Sequence, residues 1–415
     1  MRRCIFLVVF LAVLATTTSG GVLGDRISTT TLSLPQALED GLGSWCTWGF
    51  CDFTPRLYLA LRDDGSFLAG WTDTSGNGHV SVISNGSITA THNYNGTYLR
   101  GLVTHSDGSY AILLWDPVAE VLWMSKRTSA GAETWLTNIN STISTSREAM
   151  GDKRLSYGNG KYAAYFSVKG TSGQYAGHWG DQLTYVNDSG AIQAGGWSWG
   201  CSHSMAEVVG YHPNDGYFTS LCASDCIPGY GLFRDNDTEL VFAGDGNCEG
   251  LSSVALGQMA LAESGWKVIF NAQDTASTEA YGIGLASVGG GASASVTWLT
   301  NTDGTSERDP AIARIGEGTP EEFLVGWNSL SGDTYSIGVI NAGGTFLEGP
   351  EVLSGVGWGN RDDSFRSGPS AEVAWLEGNG ASTTLKLHLY SEDTGLIFAN
   401  GFESGTFLGW STSQP

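Results

Sequence analysis

The sequence predicts an all-β protein, a β-propeller of seven four-stranded blades, on two observations. The first is composition. The 415 residues include 59 Gly against 10 Pro, with 15 Trp, 15 Tyr and 16 Phe, and charged residues make up 15% where a typical soluble domain carries about 25%. Hydrophobic residues at 41% supply a core, so the acidic excess does not mark a disordered chain. The second is a recurring phrase: a polar Gly turn, then an apolar strand that ends on a large side chain. It reads Asp64-Gly65-Ser66 into Trp71, Asp107-Gly108-Ser109 into Trp115, and Asn159-Gly160 into Phe166, with weaker copies ending at Leu221, Phe270, Trp327 and Trp375. The terminal residues are 44 to 57 positions apart, which leaves room for about four short strands per unit, the pattern of propeller blades.

In chain order, Arg2 and Arg3, the apolar run Cys4 to Ala15 and the small residues that follow read as a signal peptide over 1–24. Residues 25–52 form an N-terminal extension, in which Cys46 and Cys51 are spaced to close a small disulfide loop and Leu34 to Asp40 offers a short helical turn opened by Pro35. The propeller follows over 53–395, and 396–415 is a tail. No run after the signal reaches the ~18 apolar residues of a membrane span. The chain is therefore expected to be secreted or held at the cell envelope.

Six cysteines remain after the signal: Cys46, Cys51, Cys201, Cys222, Cys226 and Cys248. In an oxidising compartment they read as disulfides, the last four allowing three pairings. Zinc is the alternative at Cys201, His203, Cys222 and Cys226. Acidic residues number 42 against 20 basic, a net charge of −22, which repels nucleic acid. Five Asn-x-Ser/Thr sequons occur, at Asn85, Asn95, Asn140, Asn187 and Asn236. No cofactor motif is present; Asp235-Asn236-Asp237 and Asp362-Asp363 offer oxygen ligands for Ca²⁺ without an EF-hand frame.

Two groups of residues are candidates for a binding site. Arg56, Arg100, Arg154, Arg308 and Arg366 each stand at the entry to the first strand of a repeat, with His203 near that place in the fourth. Guanidinium forks bind carboxylate or sulfate in pairs of hydrogen bonds, so a ring of them would hold an anion; the structural alternative is that each Arg pairs with a nearby acid or a loop carbonyl. Trp197 and Trp199 flank Ser198 beside Cys201, where a braced loop would present aromatic faces to a sugar ring. Gly196 to Gly200 also matches the Gly-x-Ser-x-Gly nucleophile elbow, but the flanking sequence is β-type and His203 follows too closely.

Two resemblances bear on this reading. The Arg spacing resembles the carboxylate clamp of the sialidases, and Ser391 to Phe398 matches one Asp-box of that family; the resemblance implies a propeller and, as one alternative, a glycoside hydrolase, although no Tyr–Glu nucleophile pair can be placed. The stretch Gly401-Phe402-Glu403-Ser404-Gly405 with Trp410-Ser411 resembles the tails of exported bacterial proteins. The expectation is a non-catalytic, exported binding module for glycan or a cell-envelope partner, the alternatives being a sialidase-like hydrolase and a structural surface protein.

Overall fold

A computed structural model of the chain describes residues 23–39, 56–141, 146–170, 176–199, 201, 206–224, 231–234, 239–243, 254–273, 281–289, 294–300, 307–329, 334–359, 361–368 and 371–392. The signal peptide, Cys46, Cys51, His203, Cys226, Cys248, Asp235 to Asp237, most of the Asp-box and the tail lie outside the described residues.

The architecture is an all-β propeller. Among the described residues the strands form seven four-stranded antiparallel sheets. The first holds β2 (Tyr58–Leu61), β3 (Phe67–Thr72), β4 (Gly78–Ser84) and β5 (Ser87–Tyr94), and the last is completed by β1 (Ile27–Ser33). Between them come β6 (Tyr98–Thr104), β7 (Tyr110–Asp116), β8 (Val121–Arg127) and β9 (Glu133–Asn138), then β10 (Ser146–Gly158), β11 (Lys161–Gly170), β12 (Trp179–Asn187) and β13 (Ile192–Ser198). The next two are β14 (Ala206–His212), β15 (Tyr217–Ser224), β16 (Gly231–Arg234) and β17 (Glu239–Ala243), and β18 (Val254–Leu261), β19 (Trp266–Gln273), β20 (Tyr281–Val288) and β21 (Ser295–Trp298). Then follow β22 (Glu307–Arg314), β23 (Glu322–Ser329), β24 (Thr334–Asn341) and β25 (Phe346–Val352), and finally β26 (Arg366–Ser367), β27 (Glu372–Gly378) and β28 (Thr384–Ser391). The first strands pack in a closed circuit, β2 on β6, β6 on β10, and so on through β22 on β26 and β26 back on β2.

The repeated phrase has a local cause. In Asp64-Gly65-Ser66 the Asp64 carboxylate accepts from the Ser66 amide at 2.9 Å and its hydroxyl at 2.6 Å, and Asp107 does the same for Ser109. Gly65 and Gly108 sit at φ of 79° and 77°, where a side chain would be strained. Asn159-Gly160 makes the related two-residue hairpin with both φ positive, the turn whose twist matches its strands. The second strand of each unit lies between neighbouring sheets, so it is apolar on both faces: β3 is buried throughout, and Trp71, Trp115, Trp327 and Trp375 are all core residues. Outer strands such as β5 are exposed or half-buried along most of their length.

The circuit is closed by the amino-terminal strand. β1 lies outside β28, Ile27 opposite Tyr390 and Ser33 opposite Thr384, so residues that the sequence reading assigned to an extension complete the last sheet. The expected turn at Leu34 to Asp40 is not helical over its described part: Leu34, Leu38 and Glu39 donate their amides to Thr383, Ser382 and Thr72, and this tethering to two sheets overrides the weak local preference. Among the described residues a single 3-10 turn occurs instead, at Leu23–Arg26.

Candidate functional site

The first strands surround a central cavity of about 380 Å³. Its floor carries Arg154, Gln258, Asp363 and Arg366, its wall Leu102, Val208, Met259 and Trp266, and its rim Thr104, Ser156, Tyr157 and Ser367. Ser367 is exposed and the other three rim residues are half-buried.

The floor is made by residues 358–359 and 361–365, a stretch in which the sequence reading names only Asp362-Asp363, as oxygen ligands for Ca²⁺. Trp358 donates its indole N–H to the Asp309 carbonyl at 2.8 Å, and Arg361 donates to the carbonyls of Gly257 and Glu207. Asp362 accepts the amides of Arg56 and Leu57 at 2.9 and 3.1 Å, the Gln258 amide bonds the Asp362 carbonyl, and Asp363 bridges to Tyr58 in parallel fashion. One short segment is thus bonded to β2, β14, β18 and β22, and it closes the channel at that end. Gly359 is required there, because a Cβ would collide with the Asp362 carboxylate and approach Arg56 Nη2 to 2.9 Å. Burial pushes the Asp362 carboxyl up from its ordinary range, opposed by Arg56.

Asp363 behaves differently. Burial alone would raise its carboxyl, but Arg366 at 2.6 Å and Arg154 at 3.7 Å hold it below the usual carboxylate range. Both guanidiniums are also bound to main chain: Arg154 donates to the carbonyls of Glu207 and Arg361, and Arg366 to those of Leu59, Phe365 and Asp363. Glu207, fully buried behind them, accepts from Ser167 with both oxygens at 2.9 Å.

Of the five arginines, Arg154 and Arg366 line the cavity and Arg56 stands at its closed end. Arg100 faces away, clamped by both oxygens of Glu39 at 2.7 and 3.3 Å, and Arg308 lies against Asp309 with its side chain 42% exposed. Four first strands, β6, β10, β18 and β22, break register next to or at this level, β6 at Arg100 and β22 just after Arg308. Such bulges turn a side chain away from the direction its strand would give it, so equal spacing in sequence does not bring the five guanidiniums together.

The tryptophan pair is organised by a carboxylate. Asp181, fully buried on β12, accepts from the Tyr165 hydroxyl at 2.5 Å, the Cys201 amide at 2.7 Å and the Trp197 indole at 3.1 Å. Burial raises its carboxyl despite these bonds. Cys201 is joined to Cys222, and Trp199 takes a left-handed φ of 62° with its indole over Gly180, where a Cβ would lie 2.8 Å from the ring. Trp197 meets Tyr165 edge-on, and both tryptophans are half-buried. Ser198 ends a strand and is followed by this left-handed residue, not by the helix that a nucleophile elbow needs. A lone acid inside an apolar strand was the available signal for Asp181.

The fold and the cavity together define a class: an all-β propeller with a closed-ended central pocket. No protein-family model matches the chain, and no curated protein matches it. Among solved structures it is similar to that of an alpha-L-arabinanase from Penicillium chrysogenum complexed with arabinobiose, at 10% identity and a TM-score of 0.49, covering 88% of this chain and 99% of that one. Among the described residues no helix is long and apolar enough to cross a membrane, and no group of three His, Cys, Asp or Glu is placed to hold a metal ion. The Cys201–Cys222 disulfide fits an extracellular protein.

Proposed function

We propose that this is an exported, non-catalytic propeller that binds a glycan in its central cavity. The observation that carries the reading is the lining itself: a polar floor of Arg154, Gln258, Asp363 and Arg366 beneath a wall that includes Trp266 and a rim that includes Tyr157. Sugar rings present an apolar face and a rim of hydroxyls, and a pocket with aromatic walls and a few fixed polar groups is complementary to both. Its volume falls within the ~300–1,000 Å³ range of small-molecule sites. Seven four-stranded sheets whose first strands pack in a closed circuit support a count of seven blades.

Hydrolysis is the competing reading, and Asp363 favours binding over it. Glycoside cleavage generally uses one carboxyl as proton donor and a second as base or nucleophile. Asp363, the carboxylate among the described lining residues, is held ionised by two guanidiniums, which suits it to accept hydroxyl protons and not to donate one. Trp197 and Trp199 serve in this reading as the braced end of β13 in the third sheet, with Arg100 and Arg308 as structural groups.

The test is a glycan array of the full-length secreted protein, followed by incubation of each bound glycan and of nitrophenyl glycosides with excess protein. Binding that is lost in Ser156→Trp, a substitution that fills the cavity from β10, and that leaves the glycan uncleaved is the expected result. Release of nitrophenol or shortening of the bound glycan would replace this reading with the hydrolase.

A further inference from the structure

Resting on the cavity as a glycan site, we propose that it takes the terminal sugar of a neutral chain, end-on, and does not hold internal segments of a polysaccharide. The floor decides the mode of entry. A binding cleft for internal segments must be open at both ends, whereas here Arg361 and Asp362, 3% and 2% exposed, are bonded across the channel to strands from opposite sides of the circuit. A chain can therefore enter only past the rim, and only by a terminus. The space matches: about 380 Å³ is roughly twelve water volumes, enough for one sugar ring with its hydroxyls and the start of the next.

Charge decides the class of sugar. The donors that would clamp a ligand carboxylate are engaged, since Arg366 points Nη2 at Asp363 and Arg154 points Nε and Nη2 at main-chain carbonyls. Asp363 adds a fixed negative charge to the floor, and a protein of net charge −22 repels anions on approach. An ionised carboxylate held between guanidiniums is instead suited to neighbouring hydroxyls on one ring, because its oxygens have lone pairs beyond those the guanidiniums use and accept from sugar O–H donors.

The experiment is calorimetric titration of the full-length protein with L-arabinose, D-xylose, D-glucose, D-galactose and D-mannose, and with their linear oligosaccharides of two to six units. Galacturonic acid and sialyllactose serve as acidic probes. The expected result is that one neutral series binds with affinity already present at two units, changing by no more than about threefold up to six units, and with one protein per chain. Asp363→Asn weakens it at least tenfold while Ser156→Trp abolishes it; if Ser156→Trp does not fold, Thr104→Trp fills the same cavity from β6. Affinity that climbs with every added unit, or several proteins on one hexasaccharide, overturns end-on binding while leaving the glycan site standing. Preference for the acidic probes overturns the neutral class. Absence of binding to every probe removes the glycan reading and this inference with it.

Discussion

Arg100 and Glu39 form a pair that can be taken apart one partner at a time. The two side chains are 9% and 13% exposed and meet at 2.7 Å, so Glu39→Ala removes the carboxylate that clamps a nearly buried guanidinium. Breaking such a pair costs about 3–5 kcal/mol. Arg100 keeps a bond to the Leu99 carbonyl and lies 4.9 Å over the Tyr98 ring, which places the expected loss near the lower end, about 3 kcal/mol. Replacing both partners, as Glu39→Leu with Arg100→Met, removes the charge and its partner together, and is expected to fall within about 1 kcal/mol of the wild type. Urea titration reads both effects as shifts of the midpoint at constant slope. Glycan binding should survive in every folded variant, because Arg100 points away from the cavity. A loss under about 0.5 kcal/mol for Glu39→Ala, the level of an exposed ion pair, would refute the burial argument. Binding abolished in folded Arg100→Met would refute the assignment of Arg100 to structure.

Burial pushes the Glu372 carboxyl up to about 7; a folded pKa above the unfolded one gives stability that is present below about pH 4.5 and lost as pH rises through 7. Glu372→Gln should therefore match the wild type at pH 4 and exceed it at pH 8 by up to ~3 kcal/mol, and equal differences at both pH values in urea titrations would count against it. His105 is depressed to about 4, first by burial and then by Lys126, so its stabilisation is present above about pH 6.5 and lost as pH falls toward 4; His105→Gln should flatten the pH dependence of the urea midpoint over that interval. Opening the Cys201–Cys222 bridge by a double Ser substitution releases a loop with a separation of 21 residues and should cost about 3 kcal/mol, with the loss of near-ultraviolet signal from Trp197 and Trp199 as the local reporter. Deleting residues through Ser33 bares the edge of β28 and should give an aggregating protein that a peptide of residues 23–39 restores, as followed by light scattering.

Turns and cores were legible in the sequence because their causes are local. Asp64 and Asp107 bond their own Ser two residues on, and the large side chain ending each second-strand phrase, aromatic in all but Leu221, is buried. The floor was legible only in Arg154, Arg366 and the Asp362-Asp363 pair, not as a floor. Trp358 to Asp363 has no period and no repeated phrase, and its partners lie as far away as Leu57, Glu207 and Gly257. The arginine spacing was visible but its meaning was not, since the Glu39 partner of Arg100 sits 61 residues upstream and register breaks turn the side chains. Asp181 was passed over because a single acid on a strand reads as a solvent-facing residue, and only its three donors show that it is a buried anchor.

The position of β1 imposes an order of events on the chain. Ile27 leaves the ribosome long before Tyr390, its partner across the last sheet. The strand made first is thus placed last, and it must stay unpaired while more than 300 residues follow it. Contacts this distant in sequence are slow to form. The same delay means that no prefix ending before β28 can seal itself prematurely: such a product lacks the mate for its own first strand, and completion of the circle reports that synthesis has passed Ser391.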